Sequence, residues 1–303
     1  MEQKREAEQQ PAFSVRTDLA IEAREMAAES QPKQGNELDG VEVETREEED
    51  YSLTHVRILS EAGSQLMGKP IGNYITIESE KLKENDIECH EEMIRILAEN
   101  IRALAKLEEG DSVLVAGLGN WNITPDALGP KVVSRILVTR HLQGTLPEEI
   151  EETVRPVAAI SPGVMGITGI ETGEIIRGIV DKLHPSLLIA IDALAARRSN
   201  RINAAIQMSD TGVAPGAGVG NCRMMLDEEN LGIPVIAIGV PTVVDAATLV
   251  NDTMDRILGE MIEQTQEGSE FYRMLHSLEQ EEKYQMIADI LGPYTGNMFV
   301  TPN

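Results

Sequence analysis

Between residues 111 and 263, short and almost continuous apolar runs alternate with stretches of helical periodicity. The apolar runs are SVLVAGLG, PVAAIS, SLLIAIDAL, AAIQM and IPVIAIGV, and the helical stretches cover residues 130–141, 171–183 and 243–263. A strand that is apolar at successive positions is buried on both faces, and helices between such strands provide the cover. The pattern predicts an α/β fold, a three-layer sandwich whose twisted central sheet is mostly parallel.

The preceding part of the chain alternates apolar and polar residues instead. VEVETREEED, YSLTHVRIL and NYITIES predict exposed or edge strands added to the main sheet. An amphipathic helix is expected over residues 90–107, and a less regular one after Thr17 as its N-cap. EGSEFYRMLHSLEQEEKYQMIADIL predicts two short added helices. Because no repeat or domain-scale linker interrupts the pattern, we expect a single domain.

Composition narrows the class of protein. The 303 residues carry a formal net charge of −25, which repels phosphate backbones and anionic lipid, so neither nucleic acid nor membrane is an expected direct partner. Cys89 and Cys222 lie far apart and form no disulfide framework, which favours a reducing compartment. No signal peptide and no apolar run of about 18 residues is present. The prediction is a soluble cytoplasmic protein.

Carboxylates follow several of the apolar runs. Asp126 comes shortly after SVLVAGLG, Asp192 directly follows SLLIAI, and Asp245 follows IPVIAIGV. Ligands of open parallel sheets bind beyond the carboxyl ends of the strands, so these side chains are expected at one edge. Glycine-rich loops after PVAAIS and AAIQM would let a substrate backbone approach closely.

Two carboxyl groups in one cleft of low dielectric share a single proton, because both cannot be ionised at low cost. The ionised member can take a proton from water while the protonated member polarises a carbonyl, which would hydrolyse a peptide bond. A helix whose first turn holds Pro130 is expected to favour the anionic form of Asp126. Each aspartate also fits a competing role as a helix N-cap.

Three arginines follow Asp192, and two roles are open for them. Arg197, Arg198 and Arg201 can neutralise acidic side chains of a substrate, or they can pair with glutamates of the protein's own surface. The pattern of residues alone does not choose between these roles.

Other sequence features could indicate a pepsin-like protease, a nucleotide-binding site or a histidine-containing site, but each of them fits this chain poorly. Asp210-Thr211-Gly212 is the tripeptide of pepsin-like proteases, but those folds are all-β and this segment lies in a βα alternation. GAGVGN departs from the dinucleotide-binding fingerprint, and no phosphate-binding G-x-x-x-x-G-K-[ST] loop is present. The five histidines are scattered away from the strand ends, which disfavours a histidine-containing metal site and a Ser-His-Asp triad.

Five segments together resemble, in consistent order, the germination proteases of spore-forming bacteria. They are FSVRTDLAIEAREMA, GLGNWNITPDALGP, AISPGVMGITGIETGEII, AIDALAARRSNRINAAIQMSDTGVAPGAGVGN and GVPTVVDAATLVNDT. The resemblance implies a homotetrameric endopeptidase of the forespore or spore core that degrades small acid-soluble spore proteins during germination. It implies Asp126 and Asp192 as the catalytic carboxylates and leaves Asp245 a capping role.

This family is distantly similar in fold to hydrogenase maturation endopeptidases, which bind nickel at the corresponding site. In those relatives a histidine completes the metal site, and no histidine stands in an equivalent place in this chain. The resemblance therefore favours an aspartic mechanism with no metal and no cofactor. A nickel-dependent processing protease is the alternative, and a binding protein whose aspartates only cap helices is a third hypothesis. Cys222 stands where a basic residue is expected, which puts one positive contact in doubt.

Members of the family are made as zymogens that remove a short propeptide themselves. They cut spore proteins after the first glutamate of T-E-(F/I)-A-S-E, and TDLAIE at residues 17–22 has the same form. The resemblance implies self-cleavage between Asp18 and Leu19, so that residues 1–18 are a propeptide and residues 19–303 form one peptidase domain. A preference for acidic substrates would give Arg197, Arg198 and Arg201 a binding role.

Overall fold

The computed structural model of the chain describes residues 17–30, 38–84, 86–145, 147, 153–216, 223–263 and 299–301. In this part of the chain the strands are β1 Val41–Glu47, β2 Ser52–Ile58, β3 Gly72–Glu78, β4 Val113–Gly117, β5 Val157–Ile160, β6 Leu187–Ala196, β7 Ala205–Ser209, β8 Val235–Asp245 and β9 Phe299–Val300. They form one sheet in the order β1-β2-β3-β7-β8-β6-β4-β5, and β9 pairs with β8.

The helices lie between these strands, as an α/β fold requires. They are α1 Ala20–Ser30, α2 Glu61–Met67, α3 Ile87–Ala105, α4 Leu128–Val133, α5 Met165–Thr168, α6 Thr172–Leu183, α7 Glu228–Leu231 and α8 Ala246–Glu263. Short 3-10 turns cover Glu80–Lys83, Thr124–Asp126, Arg140–Leu142 and Ser199–Arg201. The predicted α/β class is confirmed.

Local chemistry explains where the two most regular helices begin. The Asp86 carboxylate caps α3 by accepting a hydrogen bond of 3.1 Å from the amide of Cys89. Glu171 and Glu174 form a capping box at the start of α6. Both helices lie close to their predicted positions.

Other predicted helices differ from the structure. The helix expected over residues 130–141 is the shorter α4, followed by a turn at Arg140–Leu142. Thr17 is not the N-cap of α1, because that helix begins at Ala20. The two helices predicted in residues 267–291 lie outside the described residues.

The sheet is mixed, so the prediction of a mostly parallel sheet is wrong. β8, β6, β4 and β5 are parallel neighbours, whereas β1, β2, β3, β7 and β8 pair in antiparallel fashion. Only residues 197–204 connect β6 to β7. A parallel crossover needs about a dozen residues or more. The short connection therefore reverses the direction of the chain.

Alternate residues of β4 and β6 enter two different apolar clusters. One cluster joins Leu114, Ala116, Leu188 and Ala190 to Ile176 and Val180 of α6. The other joins Val113, Val115, Leu187 and Ile191 to Leu104 of α3 and Val132 and Val133 of α4. These strands are buried on both sides and fix the centre of the sheet, while the three-layer arrangement as a whole stays a prediction.

β6 runs further than the sequence indicated. Asp192 was expected at its end, but the strand continues to Ala196, and Asp192 lies opposite Gly239 of β8. The register against β8 shifts between Leu194 and Ala195. Such a bulge redirects the backbone of one strand and is common beside active sites. The extra residue is Thr242 of β8, so beyond Leu194 the pairing of β6 with β8 is displaced by one residue of β8.

Candidate active site

A cavity of about 550 Å³ lies beside the carboxyl-terminal halves of β6 and β8. Its titratable lining residues come from several separate segments: Asp18, Lys69, Tyr74, Asp126, Asp192 and Arg223. The two aspartates that the sequence selected thus share one cavity, near the carboxyl ends of the parallel strands.

Asp192 is the more deeply buried of the two carboxyl groups, with only 8% of its surface exposed. Its Oδ1 accepts a hydrogen bond of 2.9 Å from the amide of Ala193. Burial raises the pKa of Asp192 to about 8; the Ala193 hydrogen bond lowers it, and the charges of Asp126 and Asp18 raise it. Asp192 therefore keeps a proton at neutral pH.

Asp126 ends the 3-10 turn Thr124–Asp126 between β4 and α4. The hydroxyl of Thr242 on β8 donates a hydrogen bond of 2.7 Å to the carbonyl of Pro125 and holds this turn against the sheet. Gly119 has φ +107°, and a Cβ there would lie 2.1 Å from the Asp126 carbonyl oxygen and 2.8 Å from its Oδ1. Only glycine allows the backbone to pass this close to Asp126.

The electrostatics of Asp126 differ from those of Asp192. Burial raises the pKa of Asp126, while the amide of Asn120 and the charge of Arg223 lower it. Burial is the largest of these effects, and the expected contribution of the helix that follows Asp126 stays a prediction. The two carboxyl groups are inequivalent, because they differ in burial and in their partners, and among the described contacts no hydrogen bond joins them directly.

The residues around the predicted cleavage point lie against β6. The Asp18 amide donates to the carbonyl of Ala195 at 2.9 Å, and the Ala195 amide donates to Oδ2 of Asp18 at 2.8 Å. Burial raises the pKa of the Asp18 carboxyl, while the Ala195 amide and the charge of Lys69 lower it. Both the backbone and the acidic side chain of Asp18 are thus bound by one residue of β6, Ala195.

Two side chains meet the carbonyl oxygen of Asp18. Lys69 Nζ donates to it at 3.0 Å, and Gln207 Nε2 donates to it at 3.1 Å. Gln207 Oε1 also accepts a hydrogen bond of 2.6 Å from the amide of Ala20. The peptide bond between Asp18 and Leu19 is therefore held on both sides at the wall of the cavity.

A second acid of the TDLAIE segment is fully buried. The carboxylate of Glu22 accepts hydrogen bonds from the amides of Arg197 at 2.6 Å and Arg198 at 2.9 Å, and it lies 3.3 Å from Arg201 Nη1. Arg201 is itself 7% exposed and pairs with two further acids, Glu25 at 2.7 Å and Glu78 at 2.6 Å. The segment that follows β6 thus binds Glu22 and Glu25 of the chain's own N-terminal segment, and Arg201 also binds Glu78 of β3.

Other candidates lie elsewhere. Asp210, of the Asp-Thr-Gly tripeptide, is exposed and accepts hydrogen bonds from Asn73, outside the residues that line the cavity. Asp245 is the last residue of β8, directly before α8. Cys222 lies outside the described residues.

The described part of the chain shows neither a metal-binding cluster nor a membrane-spanning helix. It contains no group of three or more His, Cys, Asp or Glu side chains placed to hold a metal ion. None of its helices combines the length and the apolar character that crossing a membrane takes.

Sequence reasoning missed three residues of the cavity. Lys69 lies in a loop before β3, Gln207 lies within a short apolar strand, and Arg223 directly follows the cysteine where a basic residue was expected. No motif marks Lys69 or Gln207. Arg223 could have been found, because a shift of one position restores the expected positive charge near Asp126.

The chain matches a known protein family along most of its length. A family model described as germination protease matches residues 20–277. Germination proteases of Clostridium tetani and Caldanaerobacter subterraneus are 52% and 51% identical to this chain, with 96% of the chain and 89% and 88% of the relatives covered. A germination protease of Bacillus cereus is 46% identical, with 96% and 88% covered. With its family model matched along most of its length, the chain belongs to the germination proteases.

Proposed function

We propose that this chain is an endopeptidase that hydrolyses small acid-soluble spore proteins with two aspartates and no metal ion. The observation that carries the proposal is the cavity in which Asp126 and Asp192 meet with unequal electrostatics. The competing role of a helix cap does not fit Asp192, because that residue lies within β6.

The two carboxyl groups have different roles in this proposal. Asp126, which Arg223 helps to keep ionised, takes a proton from a water molecule that attacks the carbonyl carbon of the substrate. Asp192, whose pKa of about 8 keeps it protonated, donates its proton to the leaving amine. A carbon–oxygen bond forms, the carbon–nitrogen bond breaks, and one proton moves through each aspartate.

The chain also processes itself between Asp18 and Leu19 in this proposal, and residues 1–18 are the propeptide. Support comes from the position of Asp18 on the cavity wall, where its charge also raises the pKa of Asp192. Glu22, the second acid of the TDLAIE segment, is bound by the segment that contains Arg197, Arg198 and Arg201. We expect the same segment to bind the acidic residues of spore proteins.

Intact-mass measurement tests self-processing and the active site together. Wild-type chain incubated at mildly acidic pH is expected to lose residues 1–18, whereas Asp126→Asn and Asp192→Asn keep their full mass while remaining folded. Asp210→Asn is the control, since it removes an exposed acid outside the cavity and should still be processed. Processing by either active-site variant at the wild-type rate would refute the two-aspartate mechanism.

A chelator separates this mechanism from the nickel-dependent alternative. None of the described residues that line the cavity is a histidine or a cysteine, so we expect full activity after treatment with a strong chelator and dialysis. Activity that is lost and then restored by nickel would favour the metalloprotease. The proposal further includes a homotetramer in the spore core, which sedimentation and fractionation of spores would test.

A further inference from the structure

We propose that Lys69 and Gln207 are catalytic residues that bind the carbonyl oxygen of the scissile peptide bond and stabilise its negative charge during hydrolysis. The inference rests on the proposed peptidase function and adds the groups that polarise the carbonyl. The two aspartates are then left to move protons.

The first support is geometric. Lys69 Nζ and Gln207 Nε2 lie 3.0 and 3.1 Å from the carbonyl oxygen of Asp18. Donors that stabilise an oxyanion are expected about 2.7 to 3.1 Å from it. The carbonyl belongs to the bond between Asp18 and Leu19, which is the bond that the sequence motif selects. Two donors from separate segments thus converge on the oxygen where charge develops when water attacks.

The second support is how the peptide group is fixed. Gln207 binds the Asp18 carbonyl through Nε2 and the Ala20 amide through Oε1, so it spans the scissile bond. Ala195 binds the amide and the carboxylate of Asp18. All of these contacts except the carboxylate contact are made to main-chain atoms. A substrate of different sequence can make them equally well.

The third support is charge. Lys69 is half-buried, and burial lowers the pKa of its ammonium, an effect that the charges of Asp18 and Glu22 oppose only in part. A charged donor beside the carbonyl stabilises the oxyanion in a cavity that also holds the carboxyl groups of Asp18, Asp126 and Asp192. The same cation favours an acidic residue on the amino side of the cut, as Asp18 is in this chain.

The step balances without a further reactant. Water oxygen bonds to the carbonyl carbon of Asp18, its proton passes to Asp126, and the carbonyl oxygen becomes an oxyanion bound by Lys69 and Gln207. Collapse of this intermediate breaks the bond to the Leu19 nitrogen, which takes the proton of Asp192. The products are the new carboxyl group of Asp18 and the new amino group of Leu19.

The test compares wild type with Lys69→Met, Lys69→Arg and Gln207→Met in the full-length chain. Removal of one such donor is expected to slow self-cleavage and to lower kcat on the peptide TEFASE by about 100-fold, with a much smaller change in KM. Lys69→Arg should restore part of the rate, since it keeps a charged donor. Thermal unfolding of each variant establishes that it is folded.

Lys83→Met is the matched control. Lys83 also donates to a backbone carbonyl, that of Asn200 at 2.8 Å, but it is not part of the cavity lining. It should leave both rates unchanged.

The possible results distinguish a failure of the role inferred for Lys69 and Gln207 from a failure of the proposed two-aspartate peptidase. If wild type cuts and folded Lys69→Met and Gln207→Met cut equally fast, the inference is wrong and the two-aspartate peptidase stands. If wild type cuts the peptide but not itself, self-processing fails and kcat of the variants on the peptide decides the inference. If wild type cuts neither, both proposals are wrong. A loss that appears only in KM would also overturn the inference, because it would indicate binding without stabilisation of charge.

Discussion

Replacement of Asp192 by Asn should stabilise the protein at neutral pH while it abolishes hydrolysis. Asp192 titrates near 8 in the folded chain and near 3.8 when unfolded. Each pH unit between these values corresponds to about 1.4 kcal/mol. The proton that Asp192 must keep in the folded state therefore lowers the free energy of unfolding at pH 7 by at most about 4 kcal/mol. Asn keeps the acceptor for the Ala193 amide and has no proton to retain. We expect a gain of about 2 to 4 kcal/mol, since relaxation of the site reduces the full value.

The sign of the pH dependence follows from which state binds more protons. Below pH 3.8 both states are protonated at Asp192, and between 3.8 and about 8 only the folded state keeps the proton. The stability of wild type relative to the variant therefore falls as pH rises through this window. Urea unfolding at pH 5, 6, 7 and 8 measures the difference, which should grow in favour of the variant by up to about 1.4 kcal/mol per unit.

Two controls accompany this measurement. Intact mass at each pH ensures that only uncut chains are compared. Asp227→Asn removes the carboxylate that caps α7 and replaces it with another good capping residue, so it should change stability by less than about 0.5 kcal/mol. A difference between wild type and Asp192→Asn that is constant from pH 5 to 8 would refute the burial of a protonated Asp192.

Two residues that hold the site in place, Gly119 and Arg201, give further predictions. Gly119→Ala should lower stability by about 2 kcal/mol or more and slow cleavage, because its Cβ would lie 2.1 Å from the Asp126 carbonyl oxygen. Gly110→Ala is the control, since φ there is +86° but no atom lies within 4 Å, and chemical denaturation should show a smaller loss. Arg201→Met should lower the free energy of unfolding by about 3 to 5 kcal/mol, since it leaves the carboxylates of Glu22 and Glu25 without this ion-pair partner. Arg95→Met is the control, since its ion pair is exposed, and it should lower the free energy of unfolding by less than about 1 kcal/mol. Equal losses in the two variants would contradict the role of burial.

The sequence predicted the elements of the fold better than their pairing. Continuous apolar runs indicated β4, β5, β6 and β8, and their parallel arrangement followed from the intervening helices. β7 also comes from an apolar run, AAIQM, but hydrophobicity carries no information on strand direction. The short link over residues 197–204 did carry it, since so few residues cannot cross the sheet and return in parallel.

The structure brings the two predicted aspartates into one cavity, although one premise of that prediction was wrong. Asp126 and Asp192 do share a cavity, although Asp192 lies within β6 and not at its end. The roles of Lys69 and Gln207 could not be predicted from the sequence, because their contacts to Asp18 and Ala20 join residues that are 51 to 189 positions apart. Such contacts depend on how β3 and β7 pair, and no local pattern records that pairing.

The continuation of β6 past Asp192 bears on how the position of a cut is chosen. The buried acid and the main-chain groups of Ala195 that hold Asp18 belong to one strand, three positions apart. An extended chain advances about 3.3 Å per residue, so roughly 10 Å of stiff backbone separates them. In the proposed peptidase, the fixed spacing between Asp192 and Ala195 along β6 would determine which peptide bond of a bound chain lies beside the Asp192 carboxyl group. Closure of the surrounding loops would not be needed to select that bond.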